Sequence, residues 1–315
     1  MSGLAKAAYV FPGQGSQFVG MGLDLYEKYN SAREVFKQAD NVLGFSLSRL
    51  CFEGPEEELV KTINAQPALV TVSYACLETF RKETGNISSP TFVAGHSLGE
   101  YTALAAAGAL DFTTAVHLSR ERGRLMYEAG LKNTGSMAAV IGLEEELLVE
   151  VCKETDTWIA NINCPGQMVI SGAEEDINKA RELAVTRGAR RAIPLTVSGA
   201  FHTPLMQPAV DGMAEILPSI SFNEVGIPVI ANTNAQPITA TEDIEPELLK
   251  QLCSSVQWQK SIEYMIDKGV DTFIEIGPGK ILTGLIKRIN SNVSAINIEK
   301  TDDIEKFLIS NGQKE

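Results

Sequence analysis

A G-x-S-x-G motif is the feature that most constrains how this chain folds. Its residues, Gly95-His96-Ser97-Leu98-Gly99, follow an apolar stretch at 91–94 and precede a helix of small residues at 104–110. A strand that turns sharply into a helix needs glycine where a Cβ would clash, and the tight turn holds the serine hydroxyl clear of its own backbone. The amides at the start of the helix then face any anion that forms there. The motif therefore predicts that Ser97 is a nucleophile.

Charge and cysteine usage limit the classes of partner and compartment. The chain has 315 residues and a formal net charge of −13, so a basic face for nucleic acid or an anionic membrane is not expected. Five cysteines lie without C-x-x-C spacing, which predicts buried thiols in a reducing compartment. The sequence has neither a signal-peptide pattern nor an apolar run of roughly 20 residues. These features predict a cytoplasmic protein. Because the sequence starts at Met1 and ends in a polar segment, we also expect it to be free-standing.

The order of apolar and amphipathic stretches predicts a large α/β domain with a parallel sheet, formed by residues 1–130 and 200–315. Strands are expected at 7–11, 91–94, 228–231 and 272–276, and the main helices at 31–43, 56–63, 68–83, 115–129 and 280–289. Asp111 and the residues after it can cap the 115–129 helix, and Gly130 can end it. The last residues, 310–315, are polar and are expected to fray.

The segment 131–199 has a different element order. Strands are expected at 136–141, 158–163, 167–171 and 191–197, and helices at 144–154 and 173–187. Cys164-Pro165-Gly166 is the predicted turn of a hairpin. The resulting β-α-β-β-α-β order is that of the ferredoxin-like arrangement. The sequence therefore predicts a small ferredoxin-like domain inserted into the larger one.

A serine nucleophile needs a general base, usually histidine, and the chain has three histidines. His96 is adjacent to Ser97 on the turn, where side chains diverge, so we expect it to pack or to orient the turn. His117 lies opposite the apolar stripe of its helix, which predicts a solvated side chain. His202 comes after the serine, as in the hydrolase order, and is the predicted base; a loop histidine held by the backbone is the alternative. No cluster has metal-ligand spacing, so we expect neither a metal nor another cofactor.

Arg122 lies inside the apolar stripe of the 115–129 helix, between Leu118 and Leu125. A buried guanidinium needs an anionic partner, because an unpaired charge in the interior is strongly destabilising. The partner is either a carboxylate of the protein or a carboxylate of the substrate, held bidentately. The sequence leaves both interpretations open.

A second glycine-rich loop, Gly13-Gln14-Gly15, follows the first predicted strand. A dinucleotide-binding turn is one interpretation, but Phe18 stands at the last glycine of G-x-G-x-x-G and no phosphate-loop lysine follows. A loop in this place can instead supply a backbone amide to an oxyanion hole, together with the amide of the residue after the nucleophile.

Together these motifs resemble those of the malonyl-CoA:acyl-carrier-protein transacylases of fatty acid synthesis, along nearly the whole chain. The matching stretches are 11–17 (FPGQGSQ), 66–68 (QPA), 95–100 (GHSLGE), 121–123 (ERG), 163–167 (NCPGQ), 200–202 (AFH), 256–258 (VQW) and 275–280 (EIGPGK). The family's fold, a hydrolase-like α/β domain with a ferredoxin-like insert, agrees with the element order above.

The resemblance implies a reaction and the residues that perform it. A malonyl group passes from malonyl-CoA to the phosphopantetheine thiol of acyl carrier protein, in fatty acid or polyketide synthesis. Ser97 is the acylated nucleophile and His202 its base. The backbone amides of Gln14 and Leu98 form the oxyanion hole, and Arg122 binds the malonyl carboxylate.

Three further roles follow from the same resemblance. Gln66 lines the acyl pocket, and Phe201 is typical of the malonyl-selective members. The backbone carbonyl of Gln257 orients His202 in place of an acidic residue. Ser255 departs from the family, in which proline is common at this position. Without proline we expect the loop that carries the Gln257 carbonyl to be looser.

The carrier proteins of this family are acidic, as is this chain, so docking requires a local basic patch. The candidates are Arg187, Arg190, Arg191, Lys280, Lys287 and Arg288. Two other function classes stay open. A serine esterase or thioesterase would share the turn but would not need Arg122, and a nucleotide-binding module would use the glycine-rich loop at Gly13.

Overall fold

The computed structural model describes residues 6–85, 89–197 and 199–312, which form two β-sheets with helices packed around them. The strands are β1 (Ala7–Phe11), β2 (Phe92–Gly95), β3 (Gly135–Ile141), β4 (Trp158–Cys164), β5 (Gln167–Ala173), β6 (Arg191–Leu195), β7 (Val229–Ile230), β8 (Pro237–Ile238), β9 (Thr272–Ile276) and β10 (Ser294–Ile298). The helices are α1 (Leu23–Lys28), α2 (Asn30–Leu43), α3 (Leu47–Glu53), α4 (Glu56–Leu59), α5 (Thr62–Thr84), α6 (Gly99–Ala106), α7 (Phe112–Lys132), α8 (Glu145–Thr155), α9 (Glu174–Thr186), α10 (Gln207–Ile216), α11 (Ile244–Gln251), α12 (Trp258–Asp267), α13 (Ile281–Ile289) and α14 (Thr301–Ser310).

The large sheet has six strands in the order β10-β9-β1-β2-β7-β8, and every pair is parallel except the β7–β8 hairpin. The central strands β1 and β2 are buried along their whole length, as expected of parallel strands covered on both faces. Their carboxyl ends lie side by side, with Phe11 paired to Gly95. The loop after β1 and the turn after β2 therefore meet at the edge where open α/β sheets bind ligands.

The small sheet has the order β4-β5-β3-β6 and is antiparallel throughout. With α8 and α9 it has the predicted β-α-β-β-α-β order, so the predicted fold class is confirmed. Strand β4 also contacts the large domain, because Ile162 N–H donates to the Val256 carbonyl and Val256 N–H donates to the Ala160 carbonyl, both at 2.9 Å. The domain boundaries at 131 and 199 stay a prediction.

Helix α5 begins before Pro67, whereas the sequence predicted a separate helix starting at 68. Proline in a helix interior leaves the carbonyl four residues earlier without its N–H donor. Here that carbonyl belongs to Ile63, and the guanidinium of Arg120 on α7 donates a 2.9 Å hydrogen bond to it. A side chain from a neighbouring helix thus replaces the missing donor, and the helix continues through the proline.

Other sequence predictions also need correction. The helix after the motif, α6, begins at Gly99 and ends at Ala106 instead of covering 104–110, and α4 ends at Leu59 instead of 63. Helix α7 does not end at Gly130 but continues to Lys132, and the backbone at Gly199 crosses it so closely that a Cβ there would lie 3.2 Å from the Gly130 Cα. The sequence also missed β10 and α14 after residue 289; β10 is a half-exposed edge strand, which carries a weak apolar pattern. The fraying predicted for 313–315 lies outside the described residues. Within the described part of the chain, no helix is both long and apolar enough to cross a membrane.

Candidate active site

The turn between β2 and α6 holds Ser97 at the carboxyl edge of the large sheet. A Cβ on Gly95 would lie 1.9 Å from the carbonyl atoms of Gly99, and a Cβ on Gly99 would lie 2.3 Å from the carbonyl oxygen of Phe11. Only glycine permits this approach of three backbone segments. Ser97 itself has a φ of 52°, a conformation that side-chain-bearing residues rarely adopt. The structure therefore has the strained turn that the motif predicts.

Ser97 and His202 form a hydrogen-bonded pair, with 2.8 Å between Oγ and Nε2. Burial, followed by the positive charge of Arg122, lowers the pKa of His202 to about 3, so its imidazole is neutral in the resting site. Nδ1 donates a 2.8 Å hydrogen bond to a backbone carbonyl, which leaves Nε2 as the acceptor that faces the serine hydroxyl. This is the geometry in which a histidine can take the proton of a serine nucleophile.

The carbonyl that orients His202 belongs to Gln251, so the prediction of Gln257 is wrong. Gln251 is the last residue of α11, and helix C-termini leave carbonyls without intrahelical donors. Gln257 has the opposite position, before the first turn of α12. Its carbonyl accepts the backbone N–H and the hydroxyl of Ser261, at 2.9 and 3.0 Å, and is used in the helix.

Arg122 points from α7 to Ser97 and is 1% exposed. Its guanidinium donates to Gln66 Oε1 and Gln251 Oε1, both at 2.8 Å, and to Ser97 Oγ at 3.1 Å. No carboxylate of the described residues forms an ion pair with it, and Nε has no hydrogen-bond partner among them. The interpretation of an internal ion pair is therefore wrong for the part of the chain described. The charge remains available to an anion in the site.

Phe201 lines the cleft above Ser97, whereas Gln66 lies behind it. Gln66 is fully buried and is absent from the cleft wall; its Oε1 instead accepts from Arg122. It thus holds the guanidinium and does not line the pocket, which corrects the prediction. Phe201 lies in the wall of the cleft, beside His202, and its role in malonyl selectivity stays a prediction.

The loop after β1 reaches the same place. The Gln14 side chain lines the cleft and donates a 3.0 Å hydrogen bond to Thr62 Oγ1. The backbone amides of Gln14 and Leu98 donate to no backbone carbonyl or side chain within 6–85, 89–197 and 199–312, as donors reserved for an oxyanion must. A Cβ on Gly13 would lie 2.4 Å from the His96 carbonyl oxygen. That glycine is thus explained by packing of the loop against the turn, without a nucleotide.

The sequence reasoning missed two side-chain amides that hold the Ser97 backbone. Asn232 Oδ1 accepts the Ser97 N–H at 2.7 Å, and Gln251 Nε2 donates to the Ser97 carbonyl at 2.9 Å. Both amides also contact the buried carboxylate of Glu100 on α6. Glu100 is three residues after Ser97 within the matched motif and could have been found, whereas positions 232 and 251 carry no local signal.

A cleft of about 680 Å³ leads to this group of residues. Its lining includes Gln14, His96, Ser97, Arg122, Met126, Met137, Asn161, Leu195, Val197, Phe201 and His202. Met137, Asn161, Leu195 and Val197 lie within the segment 131–199, and the other residues lie in the large domain. The polar groups converge at Ser97, while the remaining wall is mostly apolar, as is usual for a small-molecule site.

The other two histidines have the predicted roles. His96 contacts Asn163 Oδ1 through Nε2 at 2.9 Å and packs on the ring of Trp258, with 5.5 Å between ring centroids. It therefore ties the turn to the insert. His117 is exposed on α7.

Comparison with known proteins agrees with this site. Residues 8–302 match the family model described as an acyl transferase domain. The malonyl CoA-acyl carrier protein transacylase of Bacillus subtilis is 49% identical over 307 residues, which is 96% of each chain. An acyl carrier protein S-malonyltransferase from Vibrio cholerae superposes with a TM-score of 0.93 at 41% identity, covering 96% of this chain and 100% of that one. A chain from a complex of a type II PKS acyl-carrier protein with its malonyl-transacylase superposes with a TM-score of 0.94 at 41% sequence identity. The match covers 98% of this chain and 100% of that one. The chain therefore belongs to the acyl transferase domain family.

Proposed function

We propose that this chain is a malonyl-CoA:acyl-carrier-protein transacylase that works through a malonyl-Ser97 intermediate. The observation that carries the proposal is the buried Arg122 guanidinium, which lies 3.1 Å from Ser97 Oγ and has no carboxylate partner among the described residues. A malonyl thioester has a carboxylate close to its reacting carbonyl, so one donor can meet both Ser97 and Arg122. An acetyl group has no such anion. The names of the relatives support the same donor and acceptor.

The first half-reaction forms the acyl-enzyme. His202 Nε2 takes the proton of Ser97 Oγ, and the oxygen attacks the thioester carbonyl of malonyl-CoA. The carbonyl oxygen becomes an oxyanion that the backbone amides of Gln14 and Leu98 stabilise. When this intermediate collapses, the carbon–sulfur bond breaks and the CoA sulfur leaves with the proton from His202.

The second half-reaction runs the same chemistry in reverse. The phosphopantetheine thiol of the carrier protein gives its proton to His202 and attacks the Ser97 ester. The ester oxygen of Ser97 leaves and recovers the proton, so the enzyme returns to its resting form. Every proton and acyl transfer is made by groups of this chain and its substrates, and the proposal therefore includes no cofactor.

The surface proposed to meet the acidic carrier lies at one end of the insert. Arg190 and Arg288 come from separate elements, yet both adjoin the β4–β5 turn. Arg288 on α13 contacts the side chain of Gln167, which follows the turn. The backbone N–H of Arg190 donates to the carbonyl of Ile141. The next residue, Gly142, donates its N–H to the carbonyl of Gly166 in the turn. Of the other candidates, Arg187 forms ion pairs with Glu150 and Glu154, which leaves less of its charge for a partner.

The compartment is part of the proposal too. The five cysteines are free thiols, four of them buried, which supports a reducing environment such as the cytoplasm.

The direct test is intact-protein mass after brief mixing with malonyl-CoA, for wild type and Ser97→Ala, followed by addition of holo acyl carrier protein. We expect a malonyl adduct on the wild type alone, and its transfer to the carrier. An adduct that is lost to water at the same rate with and without the carrier indicates a thioesterase. No adduct at all contradicts the proposal.

The docking surface is tested by reversing one charge and changing the acceptor. We expect Arg190→Glu to slow malonyl transfer to the carrier protein but not to free pantetheine, which has the same thiol without the protein. Arg33→Glu, a substitution on α2 far along the chain from the proposed surface, is the control. A rate that changes by the same factor relative to wild type with both acceptors, or that does not change with the carrier protein, would remove Arg190 from the surface.

A further inference from the structure

Glu100 is a fully buried carboxylate outside the cleft that contacts both amides around Ser97. Its Oε1 accepts the backbone N–H of Asn232 at 2.9 Å and the side-chain Nδ2 at 3.1 Å, and its Oε2 accepts Nε2 of Gln251. All these contacts come from N–H donors. In each of these contacts the carboxyl group of Glu100 is the acceptor.

A neighbour that accepts hydrogen bonds determines which end of a side-chain amide turns towards it, because the NH₂ end donates and the oxygen end accepts. The NH₂ group of Gln251 faces Glu100 and the Ser97 carbonyl, so its Oε1 faces Arg122 at 2.8 Å. Turned over, the oxygen of Gln251 would meet two acceptors and its NH₂ would meet the guanidinium. Glu100 thus keeps the acceptor of Gln251 directed at Arg122.

The same argument applies to Asn232. Its Nδ2 donates to Glu100 and to the Gly95 carbonyl, the latter at 2.7 Å, so its Oδ1 faces the Ser97 N–H. Asn232 therefore bonds the backbone on both sides of His96. These bonds hold the left-handed turn that presents Ser97.

Glu100 is also linked to Arg122 through one amide. The guanidinium, the Gln251 amide and the Glu100 carboxyl group form a continuous chain of hydrogen bonds in the interior, where such bonds are stronger than in water. Burial lowers the pKa of Arg122, and interaction with Tyr101 and Glu100 raises it. Burial and then the charge of Glu247 raise the pKa of Glu100, whereas the N–H donors of Asn232 and Gln251 lower it. Glu100 forms no ion pair with Arg122 and reaches the guanidinium only through the Gln251 side chain.

We propose that Glu100 is a positioning residue for acyl selectivity: through Gln251 it holds Arg122 where the malonyl carboxylate binds. It touches neither substrate nor reacting atoms. The inference rests on the proposed function, because preference for malonyl over acetyl donors is the property that it controls.

The experiment compares a variant that keeps the shape of Glu100 with one that keeps its carboxyl group. Glu100→Gln has nearly the same volume but presents an NH₂ group to N–H donors, whereas Glu100→Asp is shorter and keeps a carboxyl group to accept from them. The control is Glu275→Gln. Glu275 is also a buried carboxylate that accepts bonds from N–H and O–H donors, those of Leu282 and Thr283, at 2.6 to 3.0 Å. The measurement is the ratio of kcat/KM for malonyl-CoA to that for acetyl-CoA, together with Tm.

We expect Glu100→Gln to lower the malonyl-to-acetyl ratio by roughly tenfold or more, since it disturbs a hydrogen bond to a charged group. Glu100→Asp should keep more of the ratio even if its Tm falls further, and Glu275→Gln should keep all of it. In an Arg122→Ala background, Glu100→Gln should change the ratio no further, because its effect passes through Arg122.

Three results would overturn the proposal: an unchanged ratio in Glu100→Gln, a ratio that follows Tm in every variant, or additive effects in the Arg122→Ala background. If Glu100→Gln does not fold, Glu100→Asp and Gln251→Ala decide. Gln251→Ala keeps the backbone carbonyl at His202, but it must lose the preference for malonyl-CoA over acetyl-CoA. Glu100→Asp must retain more of that preference than Gln251→Ala. A wild type that forms no malonyl adduct would contradict the proposed function itself, whereas a selective wild type with an unaffected Glu100→Gln would contradict only the role of Glu100.

Discussion

Arg122 donates a 3.1 Å hydrogen bond to the Oγ of Ser97, so the cation proposed to bind the acyl carboxylate contacts the nucleophile directly in the resting site. The same guanidinium is almost fully buried and is held by neutral amide oxygens of Gln66 and Gln251. Three acceptors fix its position while none cancels its charge. Selectivity for an anionic acyl group and activation of the serine are therefore linked through one side chain.

The first prediction follows from that contact. Arg122→Ala should lower kcat/KM for malonyl-CoA by roughly 10- to 150-fold, the loss expected for hydrogen bonds to a charged group, and should affect acetyl-CoA much less. The measurement is acyl transfer to holo carrier protein from each donor. Arg124→Ala, on the outer side of the same helix and paired with Glu121 and Glu128, is the control. Equal losses with both donors would remove Arg122 from carboxylate binding.

The second prediction concerns the base. Burial and then the charge of Arg122 lower the pKa of His202, so removing that charge should raise the pKa of His202. The acid limb of kcat/KM for acetyl-CoA, a donor without a carboxylate, should move to higher pH in Arg122→Ala. A limb that stays in place would mean that the charge of Arg122 does not act on His202.

Local patterns in the sequence were sufficient to predict the turn and the nucleophile. Glycine is required at 95 and 99 because an added Cβ would collide with backbone a few residues away or in β1. Such a requirement is visible in the sequence as a motif. His202 was found because only three histidines were available and one followed the serine in a loop. The strand and helix order of the insert was equally readable, since each element carries its own apolar period.

The sequence could not show which backbone carbonyl orients His202. Any residue has a carbonyl, so the choice between Gln251 and Gln257 depends on where α11 ends and α12 begins in space. The sequence could not show the role of Asn232 for a similar reason. Asn232 bonds Ser97 across 135 positions, and a buried amide leaves no periodic pattern. The continuation of α5 through Pro67 depended on Arg120, from another helix.

The third prediction concerns stability as a function of pH. Because the pKa of His202 is lowered to about 3 in the folded chain, the unfolded chain binds a proton there that the folded chain does not, between about pH 6.5 and that value. The free energy of unfolding should therefore fall as the pH falls, with His202 contributing up to about 1.4 kcal/mol per pH unit. Urea unfolding at about pH 7 and about pH 5 should show a smaller fall for His202→Asn than for wild type. The exposed His117→Asn provides the comparison, and the same fall in both variants would contradict the prediction.

The last prediction compares two glycines. A Cβ on Gly95 would lie 1.9 Å from the Gly99 carbonyl, a contact that only movement of the backbone can relieve. We expect Gly95→Ala to destabilise the fold by about 3 kcal/mol or more and to abolish formation of the malonyl adduct, because the turn that presents Ser97 is displaced. Gly284 lies exposed in α13 with no atom within 4 Å of an added Cβ, so Gly284→Ala should instead raise stability by about 1 kcal/mol. Urea unfolding and intact mass after malonyl-CoA measure both effects. A Gly95→Ala chain with wild-type stability and a normal adduct would show that the serine does not depend on the close packing of this turn.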